Sequence, residues 1–278
     1  MRIVGDVITS RQNRLVVEVG KLTDRKVRMA EERFRFDGIK LLREAVANGV
    51  CIEKLLLCES RSREFLAELD LMKDKLALAD TTVYILSEDA FSKVSQEQAP
   101  EGILAVARFP GLHARGAQSR GVLLEAARTP SRILLLESVR DPGNVGTILR
   151  SAAAFGIHCV ALSADCADVY NPKTIRGAMG ALFRIRIAVF EDITEAIDLL
   201  KDGGRRVFAA ALDPEAVRLG RVPLHAEDCV VIGNEGHGLS PEAIRACGQS
   251  LYIPMEEGSE SLNAAIAASV ILWSMYGN

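Results

Sequence analysis

The segment VVIGNEGHGLSP, residues 230–241, constrains this chain more than any other. An unbroken apolar run, Cys229 through Ile232, enters three glycines within six positions (233, 236 and 238) and leaves through Ser240 and Pro241. A strand that is apolar at successive positions is buried on both faces, and that burial belongs to parallel sheets covered by helices on each side. Residues 207–212 repeat the pattern, and so do 133–136 and 159–162, while 185–189 read as a further strand with Arg186 inside it. Helical periodicity follows three of these runs, over 145–156, 172–182 and 193–200. Strand, turn and helix in alternation predict an open α/β sheet over residues 131–278. Such sheets bind ligands beyond the carboxyl ends of their strands, so the turns that follow the strands are where a site is expected.

The front of the chain alternates in the same way on a smaller scale. Residues 38–48 (GIKLLREAVAN) carry Ile39, Leu42, Ala45 and Val46 at helical spacing, with Gly49 at the stop. Residues 52–58 read as a buried strand, 63–78 as a helix, and 83–86 and 103–109 as strands. A small α/β domain over residues 1–110 follows. Residues 111–130 lose apolar periodicity and gain Gly, Arg and Ser, so they are expected to be a linker.

A net charge of −3 argues against a uniformly basic nucleic-acid binder, yet the charge is unevenly distributed. The first 43 residues hold eleven Lys/Arg against six Asp/Glu, whereas the chain beyond residue 131 is acidic. A basic arm on an acidic protein suits a polyanion gripped on one surface, and a solvated helix face is the plainer account of the same charges. Six cysteines form no CxxC pair and no group with histidines at ligand spacing, which predicts a reduced cytoplasmic chain without a metal. The longest nearly apolar stretch, 264–273, is about half the roughly twenty residues that a membrane span needs, so no membrane association is expected.

Three turns carry candidate chemistry. Asp141, Pro142 and Gly143 form the first, with Asn144 as the expected helix N-cap and Gly146 admitting a neighbouring backbone. Arg150 follows less than two helical turns later. The second turn is the glycine-rich loop around Asn234, Glu235 and His237. The third runs over residues 251–263, where Ser261 is the expected cap of a helix rich in small residues and Asn263 lies in that helix's first turn. Neither G-K-[ST] nor GxGxxG is present, so a phosphate loop and a dinucleotide fingerprint are unsupported.

Taken in order, N-x-G-x-x-x-R (Asn144, Gly146, Arg150), I-G-N-E-G-x-G-L-S (residues 232–240), and I-P-M with S-L-N (253–255 and 261–263) resemble the three motifs of the SpoU, or TrmH-like, class of SPOUT RNA 2′-O-ribose methyltransferases. The front resembles that family's L30e-like substrate-binding domain through residues 8–13, 22–26, 33–38 and 102–106. The resemblance implies a C-terminal parallel sheet with a trefoil knot, a homodimer, and S-adenosylmethionine as cofactor. Ala211, Leu212, Gly233, Asn234, Gly236, Ile253, Met255 and Leu262 would hold the cofactor. Arg150, Asn144, Glu235, Ser261 and Asn263 would form the catalytic set, with Arg150 stabilising negative charge on the attacking ribose oxygen. A guanidinium is too hard to deprotonate to serve as the base.

RNA, ribosomal in preference to transfer, is the implied substrate, with Arg11, Asn13, Arg25, Lys26, Arg28, Lys173 and Arg176 as expected contacts. Two departures from the family pattern stand out: Ala178 where many members have serine, and Asp37 where the front domain often has glutamate. The competing readings are an RNA-binding protein that keeps the fold without turnover, and an α/β enzyme using another nucleotide cofactor.

Overall fold

A computed structural model describes residues 1–277 except 73, 96, 98, 129–130 and 257–260. Part of the expected linker and part of the third motif loop therefore lie outside the described residues. The chain divides into two compact units, Met1–Pro110 with Tyr170–Pro172, and Gly111–Val169 with Lys173–Asn278.

The first unit runs β1 (Arg2–Ile8), α1 (Arg14–Lys21), α2 (Arg25–Glu31), β2 (Arg33–Asp37), α3 (Ile39–Ala47), β3 (Ile52–Cys58), α4 (Ser62–Asp70), β4 (Thr82–Leu86), α5 (Glu88–Val94) and β5 (Ile103–Arg108). Its five-stranded sheet has the order β1-β4-β3-β5-β2. β4 pairs parallel with β1 and β3, while β5 pairs antiparallel with β3 and β2. Val16 and Val19 of α1 and Ala90, Phe91 and Val94 of α5 pack with Leu56, Leu104 and Val106 of the sheet. Each large apolar side chain removed from water there contributes about 1.5–3 kcal/mol. The helix expected over 63–78 ends at Asp70, and a short 3-10 turn, Leu76–Leu78, follows.

In the second unit the order is β6 (His113–Arg115), α6 (Ala117–Ala127), β7 (Arg132–Leu136), α7 (Pro142–Ala154), β8 (Ile157–Ser163), α8 (Pro172–Ala178), β9 (Arg186–Phe190), α9 (Ile193–Asp202), β10 (Val207–Ala210), β11 (Val217–Arg218), β12 (Cys229–Ile232), α10 (Pro241–Cys247), β13 (Gln249–Tyr252) and α11 (Ala264–Tyr276). The sheet order is β11-β13-β10-β12-β7-β8-β9-β6, and every pairing in it is parallel. The continuous apolar runs are buried as expected: Cys229 to Ile232 and Ile133 to Leu136 are each at most 3% exposed.

The expected linker is instead part of this unit. β6 pairs with β9 at the sheet edge, and α6 buries Ser119, Leu123 and Ala126. Ser119 Oγ donates to Val189 O at 2.6 Å. A helix that buries a serine in place of a third large apolar residue shows little apolar periodicity, which is why the segment reads as a linker. Residues 172–182 also break: α8 ends at Ala178, and Met179 and Gly180 take positive φ (48° and 87°) before a 3-10 turn.

All six cysteines are free, and five of them are buried. Burial pushes the thiols of Cys159 and Cys229 up to about 12, so they remain protonated hydrophobes. Among the described residues no helix is long and apolar enough to cross a membrane, and no cluster of His, Cys, Asp or Glu is placed to hold a metal.

Candidate active site

The carboxyl ends of β7 and β12 lie side by side, with Leu136 opposite Ile232, so the chains leaving the two strands diverge from one level. Asn234 joins them: its Nδ2 donates to Ser138 O at 2.7 Å, while its Oδ1 accepts from the Gly236 amide at 2.8 Å. Its backbone also exchanges hydrogen bonds with Gly238. The loop folds back so tightly that a Cβ on Gly233 would lie 2.4 Å from the Gly238 carbonyl carbon. The density of glycine in this motif is therefore demanded by the loop itself. Glu137, one residue beyond β7, fixes the far end of the loop by accepting from the Ser240 amide and hydroxyl at 2.8 and 2.7 Å.

α7 begins one turn earlier than the sequence indicates. Pro142 takes its first position, and Asp141, not Asn144, is the N-cap, accepting from the Asn144 amide at 2.8 Å. Lys173 Nζ lies 3.0 Å from Asp141 and, with that amide, holds its carboxyl below the usual range. Because the cap is Asp141, the Asn144 side chain is available for other contacts. Its Nδ2 donates to Glu235 Oε1 at 2.8 Å, and its Oδ1 accepts from Asn263 Nδ2 at 3.0 Å. Asn263, not Ser261, caps α11, accepting from Ala265 N at 2.9 Å and Ile266 N at 3.4 Å. One exposed side-chain string, Asn263 to Asn144 to Glu235, thus draws the three motifs together.

α7 is positioned by two contacts. Against α8 the backbones touch: a Cβ on Gly146 would meet Thr174 O at 2.6 Å and Gly177 Cα at 3.0 Å. On another side α7 packs against α11, whose Ala264, Ala265 and Ala268 are buried, and Ser151 and Ser269 share a 2.8 Å hydrogen bond. Arg150 lies on the exposed side of α7 and makes no hydrogen bond or ion pair with a described residue.

Beside this string a cavity of about 140 Å³ opens where β10 and β13 end. Ala211, Leu212, Ile253, Met255, Ser261 and Leu262 line it together with Ala267 and Ile271 of α11. Five of the eight expected cofactor residues therefore share one wall, and Gly233, Asn234 and Gly236 serve the neighbouring loop. The small side chains of Ala210, Ala211 and Ala267 leave a slot with apolar faces, which fits a flat aromatic base such as adenine.

The expected RNA contacts divide. Lys26 is exposed, and Arg11 lies on the surface 3.6 Å from Asp89. Arg25 and Arg176 are exposed, each with a partner, and Lys173 is held by Asp141. Asn13 caps α1, its Oδ1 2.9 Å from Leu15 N. Arg28 is not an RNA contact: it is 2% exposed, and it donates to the carbonyls of Leu22 and Thr23 at 2.8 and 2.7 Å, closing the turn between α1 and α2.

The family model described as the SpoU rRNA Methylase family matches residues 131–273, and one described as an MRM3-like substrate binding domain matches residues 13–105. The chain belongs to the SpoU rRNA methylase family. It is 32% identical over 271 residues to the 23S rRNA (guanosine(2553)-2'-O)-methyltransferase RlmP of Bacillus subtilis, covering 97% of this chain and 99% of that one. Identity to the 23S rRNA (uridine(2479)-2'-O)-methyltransferase of Streptomyces viridochromogenes is 27%, over 96% of this chain and 90% of that protein. The crystal structure of an AdoMet-bound rRNA methyltransferase from Sinorhizobium meliloti superposes with a TM-score of 0.81 at 26% identity, covering 98% of this chain and 97% of that chain.

Glu137, which fixes the glycine-rich loop, and the capping role of Asp141 are what sequence reasoning missed. A carboxylate directly after the apolar run of β7 is the signal for Glu137, and Asp-Pro ahead of a helix is the signal for Asp141.

Proposed function

We infer that the protein transfers a methyl group from S-adenosylmethionine to a ribose 2′-hydroxyl of ribosomal RNA. The string Asn263–Asn144–Glu235 beside an apolar slot carries this reading, since it sets polar groups for a ribose next to a place for an adenine. Relatives named as ribosomal RNA 2′-O-methyltransferases, which match nearly the whole chain, support the substrate class.

When bound, the cofactor would supply an activated methyl carbon and a neutral thioether leaving group. The chain has to orient the ribose and favour the charged form of a weakly acidic hydroxyl. Asn144 and Asn263 hold one another through their amides, and their remaining donors and acceptors orient the ribose. Glu235 fixes the Asn144 amide by accepting from Nδ2. Arg150 stabilises the developing alkoxide as a permanent cation. Ser261, on the cavity wall, orients the cofactor side of the slot.

The same reading includes a trefoil knot in the second unit, a cytoplasmic location and a homodimer. Ile266 and Trp273, seven residues apart on α11, are 54% and 66% exposed, and an apolar face of this kind is suited to a second copy of the chain.

The deciding experiment is transfer of radiolabelled methyl from S-adenosylmethionine to unmodified ribosomal and transfer RNA transcripts, followed by nuclease digestion. An alkali-resistant 2′-O-methyl dinucleotide from ribosomal RNA is expected. Label in transfer RNA alone would overturn the substrate class. No label in either RNA, with cofactor binding confirmed, would mean that the substrate is an assembled particle or another RNA, or that the chain binds RNA without reacting.

A further inference from the structure

In the first unit a groove of about 860 Å³ runs along α1 and past the end of α5. Arg11, Lys21, Arg35 and Lys93 line it, and no Asp or Glu does so among the described residues. Four cations line one groove in a chain of net charge −3, and one of them, Arg11, lies 3.6 Å from Asp89. Val17, 38% exposed, provides a short apolar strip between them.

Arg35 is the unusual member. It sits in the middle of β2, is 3% exposed, and its Nη1 donates to Val94 O. Its Nε is buried and has no hydrogen-bond partner among the described residues. Asp37, two residues along the same strand, attracts the charge, and Arg28 opposes it. A buried guanidinium normally has its donors satisfied, because an unsatisfied one forfeits its hydration without compensation. A groove lined by this arginine, with further cations at its edge, has the form of a prepared anion site. The volume exceeds that of a simple ion, and the apolar strip beside the cations suits the face of a base.

We propose that this groove grips an unpaired stretch of the substrate RNA, with Arg35 as the buried anchor of a phosphodiester, Lys21 and Lys93 as flanking phosphate contacts, and Val17 under a base. The proposal rests on the RNA-methyltransferase reading and gives the first unit a specific role in it. Arg28, which the sequence marks for this role, closes a turn instead, and Arg35, which alternation in RFRFD hides, takes it.

The test measures binding of a 23S ribosomal RNA transcript across a salt series for the full chain, for Lys21→Glu/Lys93→Glu and for Arg35→Met. Binding of S-adenosylhomocysteine and thermal midpoints are measured alongside. The charge-reversal pair lies on the surface and leaves folding intact. Its RNA affinity is expected to fall by about tenfold or more, and its salt slope to shrink by roughly 0.7–0.9 for each phosphate that the variant no longer neutralises. Arg35→Met is expected to weaken RNA binding to a similar extent; on the thermal midpoint, relief of the guanidinium's desolvation opposes the loss of its bond to Val94 O and of its attraction to Asp37. Cofactor-product binding stays within about twofold in both variants.

RNA affinity and salt slope unchanged in the charge-reversal pair would overturn the proposal, whether or not Arg35→Met folds. A lowered midpoint with unchanged affinity in Arg35→Met would make Arg35 structural and overturn its role as anchor. Inorganic phosphate that displaces the RNA at micromolar concentration would mark a free-anion site instead. Failure of the wild-type chain to methylate any RNA would strike the proposed function and leave these binding results to be read separately.

Discussion

The two edges of the second sheet use polar side chains in opposite ways. At the amino edge, Arg205 is 8% exposed and donates to Ser131 O, Glu227 O and Ala127 O at 2.7, 3.1 and 2.9 Å, tying together the segments that enter β7, β10 and β12. At the carboxyl edge, Asn144 bonds Asn263 and Glu235 at the surface, while Arg150, the ninth residue of α7, stands unpaired among the described residues on that helix's exposed side. A side chain that satisfies buried carbonyls is committed to the fold. One that bonds only side chains at the surface, as the Asn144 amide does, can exchange those bonds for a substrate.

The sharpest way to break this contrast is Arg150→Ala. Methyl transfer is expected to fall by about 10³-fold or more, with affinity for S-adenosylhomocysteine within a few-fold and an unchanged thermal midpoint. Retained turnover in the labelling assay would remove Arg150 from the chemistry. At the other edge, Arg205→Met leaves three carbonyls without their donor and is expected to destabilise the chain by about 3 kcal/mol in urea unfolding. Specific activity of the protein that remains folded should change by less than about twofold, and a larger drop would erase the division between the edges.

Asn144→Ala sharpens the comparison from the other side. Removing both amide hydrogen bonds should lower transfer by about 10- to 100-fold while stability moves by less than about 0.5 kcal/mol. The smallest effect concerns His113 of β6, whose Nε2 lies 3.0 and 3.2 Å from Leu182 O and Ile185 O and whose pKa burial pulls down to about 4. The unfolded chain binds a proton there that the folded chain refuses, so stability is lost as pH falls from about 6.5 toward 4. The decrease should reach about 2 kcal/mol for this partly buried ring, and a His113→Gln chain should lack that component of the acid sensitivity.

The parallel sheet and its motif loops were legible because their signals are local: unbroken apolar runs give doubly buried strands, and dense glycine gives a folded-back loop. That the three motifs converge was legible too, since Asn144, Glu235 and Asn263 do meet. Which asparagine closes a helix was not, because Asp141 and Asn144, or Ser261 and Asn263, are equally able to cap and only the path of the backbone chooses between them. Arg28 and Arg35 show the same limit for charge. Both look like surface cations in sequence, and only tertiary burial separates a turn staple from the lining of a groove. Residues 111–128 hid an edge strand and a helix because a buried serine, Ser119, and the Gly116 turn interrupt the apolar periodicity that marks such elements.

That Asp141 caps α7 while Asn144 faces the site has an evolutionary consequence. Substitutions at 144, 150 or 235 leave both helix caps, the glycine contacts and the hydrophobic interior in place. Natural selection therefore meets little resistance from folding when it silences the reaction. On the catalytic roles proposed for 144, 150 and 235, a single nucleotide change at one of these codons would give a chain of the same shape that only occupies RNA, recognisable by an intact Asp141, Gly146 and Asn263 around the altered position.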